Sequence, residues 1–124
     1  MRRNPWPTAV IADVLVVLVF ATIGRASHDE SAGLHGVVHT AWPFLIGTLL
    51  ALALSAYTHA NPLGLRVAIR VWLLTVLVGM VIRAATGAGT AFAFVIVALV
   101  VLGVCFLGWR AAMRLHRLRS FLRS

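Results

Sequence analysis

Four long apolar segments fill this chain, and most of its charged side chains lie near their ends. The segments are Thr8–Gly24, His39–Thr58, Val67–Ala85 and Thr90–Trp109. A hydrocarbon core about 30 Å thick is crossed by about 20 helical residues, and each segment is close to that length. The sequence therefore predicts an all-α polytopic membrane protein, a four-transmembrane-helix bundle that forms a single membrane domain over residues 1–124.

The composition excludes an ordinary water-soluble domain. Hydrophobic residues make up 61% of the chain and charged residues only 11%, with a mean hydropathy of +0.98. Soluble domains carry about 25% charged residues. A chain of 124 residues cannot hide this much apolar surface from water, so lipid is the expected solvent. The single cysteine, Cys105, cannot form an intrachain disulfide and is expected to pack as a small apolar residue.

The arginines predict the orientation in the membrane. With four spans, nine of the 11 basic residues fall on the side that holds both termini, and only Arg25 and Arg83 fall on the other. The positive-inside rule then places both termini in the cytoplasm of a multi-pass protein of the cell (inner) membrane. The loop over residues 27–38 is expected outside.

Asp13 is an acidic residue inside the first apolar segment. A charged side chain near the middle of a membrane helix costs about 2.5–3.5 kcal/mol and usually has a partner. Arg70, at a similar depth, is the favoured partner in an intramembrane charge pair, with Arg66 and Arg110 as alternatives. Whether this pair is structural or whether Asp13 titrates on an ion or proton path stays open at this stage.

Arg25 and Arg83 are predicted at one depth, on two helices that run outward. They are candidates for an outer anion site, because two guanidinium groups can hold an anionic group through paired hydrogen bonds. The alternative is that both side chains extend to the lipid headgroups without binding a solute.

The outer loop carries polar residues that form a candidate titrating cluster: His28, Asp29, Glu30, His35 and His39. The spacing of His35 and His39 is that of zinc ligands on a helix. Two glycines nearby weaken a helix there, and no second spaced pair completes a ligand set. The sequence therefore predicts no metal site.

The C-terminal segment over residues 110–124 is predicted to continue the fourth helix as a basic amphipathic extension. Its candidate lipid-contacting residues are Arg110, Arg114, Arg117, Arg119 and Arg123. Leu115, Leu118 and Leu122 recur on a neighbouring face. Such a helix favours anionic lipids at the inner leaflet, and a nucleic-acid partner is not expected.

Rows of small residues allow helices to approach closely in lipid, as in Gly47, Ala51 and Ser55. Such a row fits internal packing and a homodimer equally well. No catalytic motif is present, and the chain has three acidic residues and one cysteine. We therefore expect no enzyme activity, no catalytic residues and no cofactor.

Scattered polar and aromatic residues resemble the domain-of-unknown-function family DUF3054, small prokaryotic four-span membrane proteins. They are Asp13, Gly24, Arg25, His28, Trp42, Pro43, Phe44, Trp72, Gly79, Arg83, Gly108, Trp109 and Arg110. The resemblance covers nearly the whole chain and implies four helices without an assigned activity. Size, span number and an early acid are also similar to small multidrug resistance transporters, which export by proton coupling as dimers. The basic tail does not fit that family.

Two functions follow from these features. The first is binding or transport of a small charged solute or ion through a polar path in the bundle. The alternative is a non-catalytic accessory or structural membrane protein that acts through helix packing and lipid contact. The two differ in whether Asp13, Arg25 and Arg83 face a wet cavity or dry packing.

Overall fold

The computed structural model describes residues 4–27, 34–88 and 92–123, without the side chains of residues 25–27 and 34–35. The described chain forms four α-helices: α1 (Trp6–Ser27), α2 (Leu34–Tyr57), α3 (Leu65–Ala85) and α4 (Phe92–Arg123). All four are long and apolar enough to cross a membrane. The predicted four-helix bundle and the helical extension after Trp109 are both confirmed.

The helices form a ring in which each one packs against two others. α1 contacts α2 and α4, and α3 also contacts α2 and α4, so α1 and α3 lie on a diagonal of the bundle. Short connections make successive helices antiparallel. We call the end with the start of α1, the α2–α3 turn and the end of α4 the terminal end, and the other the opposite end.

The outer surface of the bundle is apolar, as expected of a protein in lipid. Four residues at every fourth position of α1 each expose more than half of their surface: Ile11, Leu15, Val19 and Ile23. Exposed apolar faces of this extent would aggregate in water, whereas lipid covers them without loss. The protein is therefore a multi-pass membrane protein.

Helices α2 and α3 pack most closely, because small residues lie between them. A Cβ atom on Gly47 would lie 2.6 Å from the carbonyl oxygen of Leu74 on α3. Next to it in the same interface, the buried hydroxyls of Thr48 and Thr75 are 2.7 Å apart and share a hydrogen bond. The row of small residues that begins at Gly47 therefore serves packing within the bundle.

The turn between α2 and α3 is fixed by its own backbone hydrogen bonds. The amide of Ala60 donates to the carbonyl of Ser55, and the amide of His59 donates to that of Ala56. His59 has φ of 58°, the left-handed conformation that glycine usually occupies at the end of a helix. Asn61 then accepts a hydrogen bond from the amide of Leu63 through its side chain.

Helix α2 begins earlier than the sequence predicts. It starts at Leu34, so the end of the predicted outer loop, residues 34–38, is helical. Pro43 lies well inside this helix. The packing of apolar side chains of α2 against α1 and α3 outweighs the weak helix preference of Gly36.

Candidate functional site

Asp13 on α1 and Arg110 on α4 form a buried ion pair that joins the first and last helices. Arg110 Nη2 donates to Asp13 Oδ2 over 2.8 Å, and Nη1 donates to Oδ1 over 2.9 Å. Asp13 is fully buried and Arg110 is 2% exposed. A planar guanidinium matches a carboxylate in this paired arrangement, so each charge is satisfied away from water.

Neighbouring groups use much of the remaining hydrogen-bonding capacity. Trp109 Nε1 donates to Asp13 Oδ1 over 2.8 Å, and Arg110 Nε donates to the carbonyl of Pro62 over 2.8 Å. Arg110 Nη1 also reaches the carbonyl of Phe106 at 3.3 Å. We call Asp13, Pro62, Trp109 and Arg110 the ion-pair site. It ties together α1, the α2–α3 turn and α4.

Helical periodicity carries both charges into the interior. The buried stripe of α4 has a residue at every fourth position: Ala98, Leu102, Phe106 and Arg110. On α1, Asp13 lies between the buried Ala9 and Val17 with the same spacing. Residues four apart share one face of a helix, so burial of the apolar members turns the charged ones inward as well.

The predicted pair of Asp13 with Arg70 is wrong. Arg70 lies on α3, diagonally across the bundle from α1, and its Nη1 donates to Ser55 Oγ on α2 over 3.0 Å. Arg70 was favoured because its predicted depth in the membrane matches that of Asp13. The order of the helices around the bundle, however, decides which helices are in contact. The alternative partner from the fourth span, Arg110, is the one that the fold brings to Asp13.

The ion-pair site has the chemistry of a structural tie. In the described part of the chain, no buried side-chain nitrogen or oxygen lacks a hydrogen-bond partner. Each Asp13 oxygen accepts from a fixed donor, and the guanidinium supplies the opposite charge at contact distance. A solute that binds at Asp13 would have to displace these donors.

At the opposite end, Arg83 covers a group of three phenylalanine rings. Phe20 and Phe44 meet edge to face with ring centres 5.3 Å apart, and Phe94 lies 5.8 Å from the first and 6.1 Å from the second. The Cζ of Arg83 is 4.7 Å from the centre of the Phe94 ring. Its Nη2 donates to the carbonyl of Ala88 over 2.9 Å, just past the end of α3.

The rest of the predicted outer site lies outside the described residues. This applies to His28, Asp29 and Glu30 and to the side chains of Arg25 and His35. His39 is described and lies on the exposed side of α2. Over 4–27, 34–88 and 92–123, no three His, Cys, Asp or Glu side chains come together in a way that would hold a metal ion.

The predicted lipid-contacting arginines separate into two groups. Arg114, Arg117, Arg119 and Arg123 are exposed on the last turns of α4. Arg110 is not among them, because it points into the bundle and is held by Asp13. Its assignment to the lipid-contacting tail is therefore wrong, and the exposed extension begins at residue 111.

Sequence reasoning named Arg110 only as an alternative partner and missed two other parts of the ion-pair site. Arg110 could have been preferred, because it continues the buried four-residue spacing of Leu102 and Phe106 instead of the exposed spacing of the tail. Trp109 was predicted only as the end of the fourth apolar segment. The carbonyl of Pro62 has no sequence signal, since any residue at that place in the turn supplies one.

A family model described as "Protein of unknown function (DUF3054)" matches residues 10–113. No curated protein and no solved structure matches the chain. The matched range includes α2, α3, most of α1, the part of α4 up to Met113 and the whole ion-pair site. The chain therefore belongs to the DUF3054 family.

Proposed function

We propose that this protein is a non-catalytic accessory membrane protein whose bundle holds a basic amphipathic helix against anionic lipids at the cytoplasmic face. We call residues 111–123 of α4 the tail helix. The observation that carries the proposal is the change within about one helical turn, from the buried Arg110 to the exposed Arg114. The ion-pair site fixes α4 at the point where it leaves the bundle.

The length of α4 supports a tail helix that extends beyond the hydrocarbon. Its 32 residues run without a break from Phe92 to Arg123. At 1.5 Å per residue such a helix is about 48 Å long, well over the roughly 30 Å of the hydrocarbon core. The excess falls at the C-terminal side, which carries Arg114, Arg117, Arg119 and Arg123, whereas the span before it carries no charge.

The charge of the tail helix favours an anionic lipid surface. Asp13 is the sole acidic residue within 4–27, 34–88 and 92–123, and Arg110 already binds it. The tail arginines therefore need an anion from outside the described chain. Leu115, Leu118 and Leu122 are each more than half exposed, so the helix also offers an apolar face to the lipid boundary.

A second copy of the chain is a poorer partner for this face. Arg114 and Arg119 flank the leucine face on its two sides, five residues apart. In a parallel pair of helices, side chains at these two positions of opposite copies lie next to each other. Two tails packed along their leucines would therefore bring like charges together, whereas lipid phosphates would neutralise them.

Movement of a charged solute through the bundle is supported less well. Asp13, the acid that a proton-coupled path would use, is enclosed by Trp109 and Arg110. Arg83 is engaged by Ala88 and Phe94. If the alternative function held, Arg83→Gln would abolish anion flux in proteoliposomes without unfolding the bundle. If vesicles that contain the wild-type protein released anions no faster than vesicles without protein, that alternative would be excluded.

Orientation and lipid contact can be tested with single cysteines in a Cys105→Ser background. Leu118→Cys reports on the tail helix and Ala88→Cys on the opposite end. In right-side-out cells, we expect a membrane-impermeant maleimide to label position 88 and not position 118, because the arginine distribution places the tail inside. Labelling of position 118 from outside would overturn the orientation.

Lipid contact is then measured in proteoliposomes of phosphatidylcholine with or without phosphatidylglycerol. A fluorophore attached at position 118 of the Leu118→Cys variant should become shielded from a water-soluble quencher only when phosphatidylglycerol is present. The matched variant changes Arg117, Arg119 and Arg123 to Gln and should lose this shielding, while a fluorophore at position 88 reports no change. Equal quenching in both lipid mixtures would refute the proposed function.

A further inference from the structure

We infer that the outer face of α3 and α4 is a binding site for one anionic phospholipid, with an acyl chain in a groove and the headgroup at Arg114. The groove has a volume of about 380 Å³. Its lining residues are Trp72, Leu99, Val100, Gly103, Val104 and Leu107. The inference rests on the proposed function, since it uses one arginine of the tail helix.

The groove exists because a tryptophan lies against a glycine. A Cβ atom on Gly103 would lie 2.9 Å from Cε2 and Nε1 of Trp72, so the indole sits directly on the α4 backbone. The indole Nε1 donates to the carbonyl of Leu99 over 2.8 Å, which fixes the ring as a wall of the groove. Val100 and Val104, 59% and 68% exposed, form the other wall.

The lining selects a hydrocarbon occupant. Apart from the indole N–H, the side chains in the groove carry no polar atoms, and Leu99 already binds that N–H. A polar ligand would lose its hydrogen bonds to water without replacement. An acyl chain meets no such penalty, and it is the hydrocarbon that surrounds this face of the bundle in a membrane.

Arg114 lies where the headgroup of that lipid would be. It follows Leu107 by two helical turns, about 10 Å at 1.5 Å per residue, so the two residues share a face of α4. It also follows Trp109, whose ring lies at the terminal end of the bundle beside Asp13. An exposed guanidinium in line with an apolar groove is complementary to a phosphate that carries an acyl chain.

The test uses the full chain in mild detergent and native mass spectrometry with added phosphatidylglycerol, or with phosphatidylcholine of the same acyl chains. Glycerol phosphate serves as the headgroup alone. We expect one phosphatidylglycerol per chain, weaker binding of phosphatidylcholine and none of glycerol phosphate. Equal binding of the two phospholipids would overturn the role of the anionic headgroup.

Two variants separate the groove from the bulk lipid surface. Val100→Phe places a ring in the groove and should weaken phosphatidylglycerol binding about fivefold or more, because the ring fills the space of the acyl chain. Its control is Val81→Phe, since Val81 is 58% exposed and lies on the opposite face of α3 from Trp72. If both variants bound lipid like the wild type, the lipid would be an unspecific annulus and the inference would fail.

Arg114→Gln should also weaken phosphatidylglycerol binding about fivefold, as expected of one arginine near an anionic headgroup. Its control is Arg66→Gln, which should leave this binding unchanged, since Arg66 is exposed at the start of α3 and outside the tail helix. The wild-type protein could instead run as a dimer that Val100→Phe dissociates, with the same number of lipids bound per chain. That result would identify a second copy of the chain as the occupant of the groove and would overturn the inference. Since groove binding is measured in detergent and tail shielding in vesicles, each proposal can fail while the other holds.

Discussion

Arg110 and Arg114 are the same residue type about one helical turn apart, yet they belong to two different regions of the molecule. Arg110 is 2% exposed and donates to Asp13, Pro62 and the backbone of its own helix. Arg114 is exposed on the tail helix. The difference shows that the end of the bundle, and not the amino-acid type, decides whether an arginine on α4 holds the fold together or contacts what lies outside it.

Removing each guanidinium in turn should show the largest difference between the two regions. Arg110→Gln leaves the Asp13 carboxylate buried without its counter-charge, and loss of one partner of a buried pair costs about 3–5 kcal/mol. Arg114→Gln should change the free energy of unfolding by less than about 0.5 kcal/mol. Thermal or denaturant unfolding in detergent, followed by tryptophan fluorescence, measures both.

The double variant Asp13→Asn with Arg110→Gln is the internal control. It removes both charges, so it should recover a large part of the stability that either single change loses. Asp13→Asn combined with Arg70→Gln should instead be additive, because Arg70 donates to Ser55. Additive losses for Asp13 with Arg110 would show that the two side chains are not coupled.

More of the fold than of the ion-pair site could be predicted from the sequence. Segment length and the near absence of internal charge determine four spanning helices, whatever their arrangement. The partner of Asp13 depends on which helices are neighbours, and apolar helices carry little pairing information in their sequences. The ring order of the bundle, in which α3 lies across from α1, is what excludes Arg70.

The site contains one further element that sequence reasoning cannot supply. The carbonyl of Pro62 reaches Arg110 from the turn after α2, in which His59 has a left-handed conformation. Glycine is the usual signal for such a helix end, and no glycine stands at this position. By contrast, the buried four-residue spacing that ends at Arg110 was readable in advance.

Two glycines of α4 test the same difference, because one lies on its buried face and the other on its exposed face. Gly103→Ala would place a methyl group against the Trp72 indole and displace its hydrogen bond to Leu99, at a cost of about 1–3 kcal/mol. A Cβ atom on Gly108 would meet no neighbouring atom within 4 Å, so Gly108→Ala should be neutral or stabilise by up to about 1 kcal/mol. Unfolding in detergent measures both changes. A similar loss in both variants would mean that a partner covers Gly108.

The smallest expected effect on the bundle comes from removing the tail helix beyond Arg114. Residues 115–123 are exposed throughout, and the buried contacts of α4 end at Arg110. Truncation after Arg114 should therefore change the free energy of unfolding by less than about 0.5 kcal/mol and leave membrane insertion intact. The same truncated protein should bind vesicles containing phosphatidylglycerol less strongly than the full chain, since three arginines are lost. Unfolding scans and carbonate extraction of membranes measure the first expectation, and lipid titration measures the second. A large loss of stability or of insertion would assign residues 115–123 to the structural region, and the boundary between Arg110 and Arg114 would then have to move outward along α4.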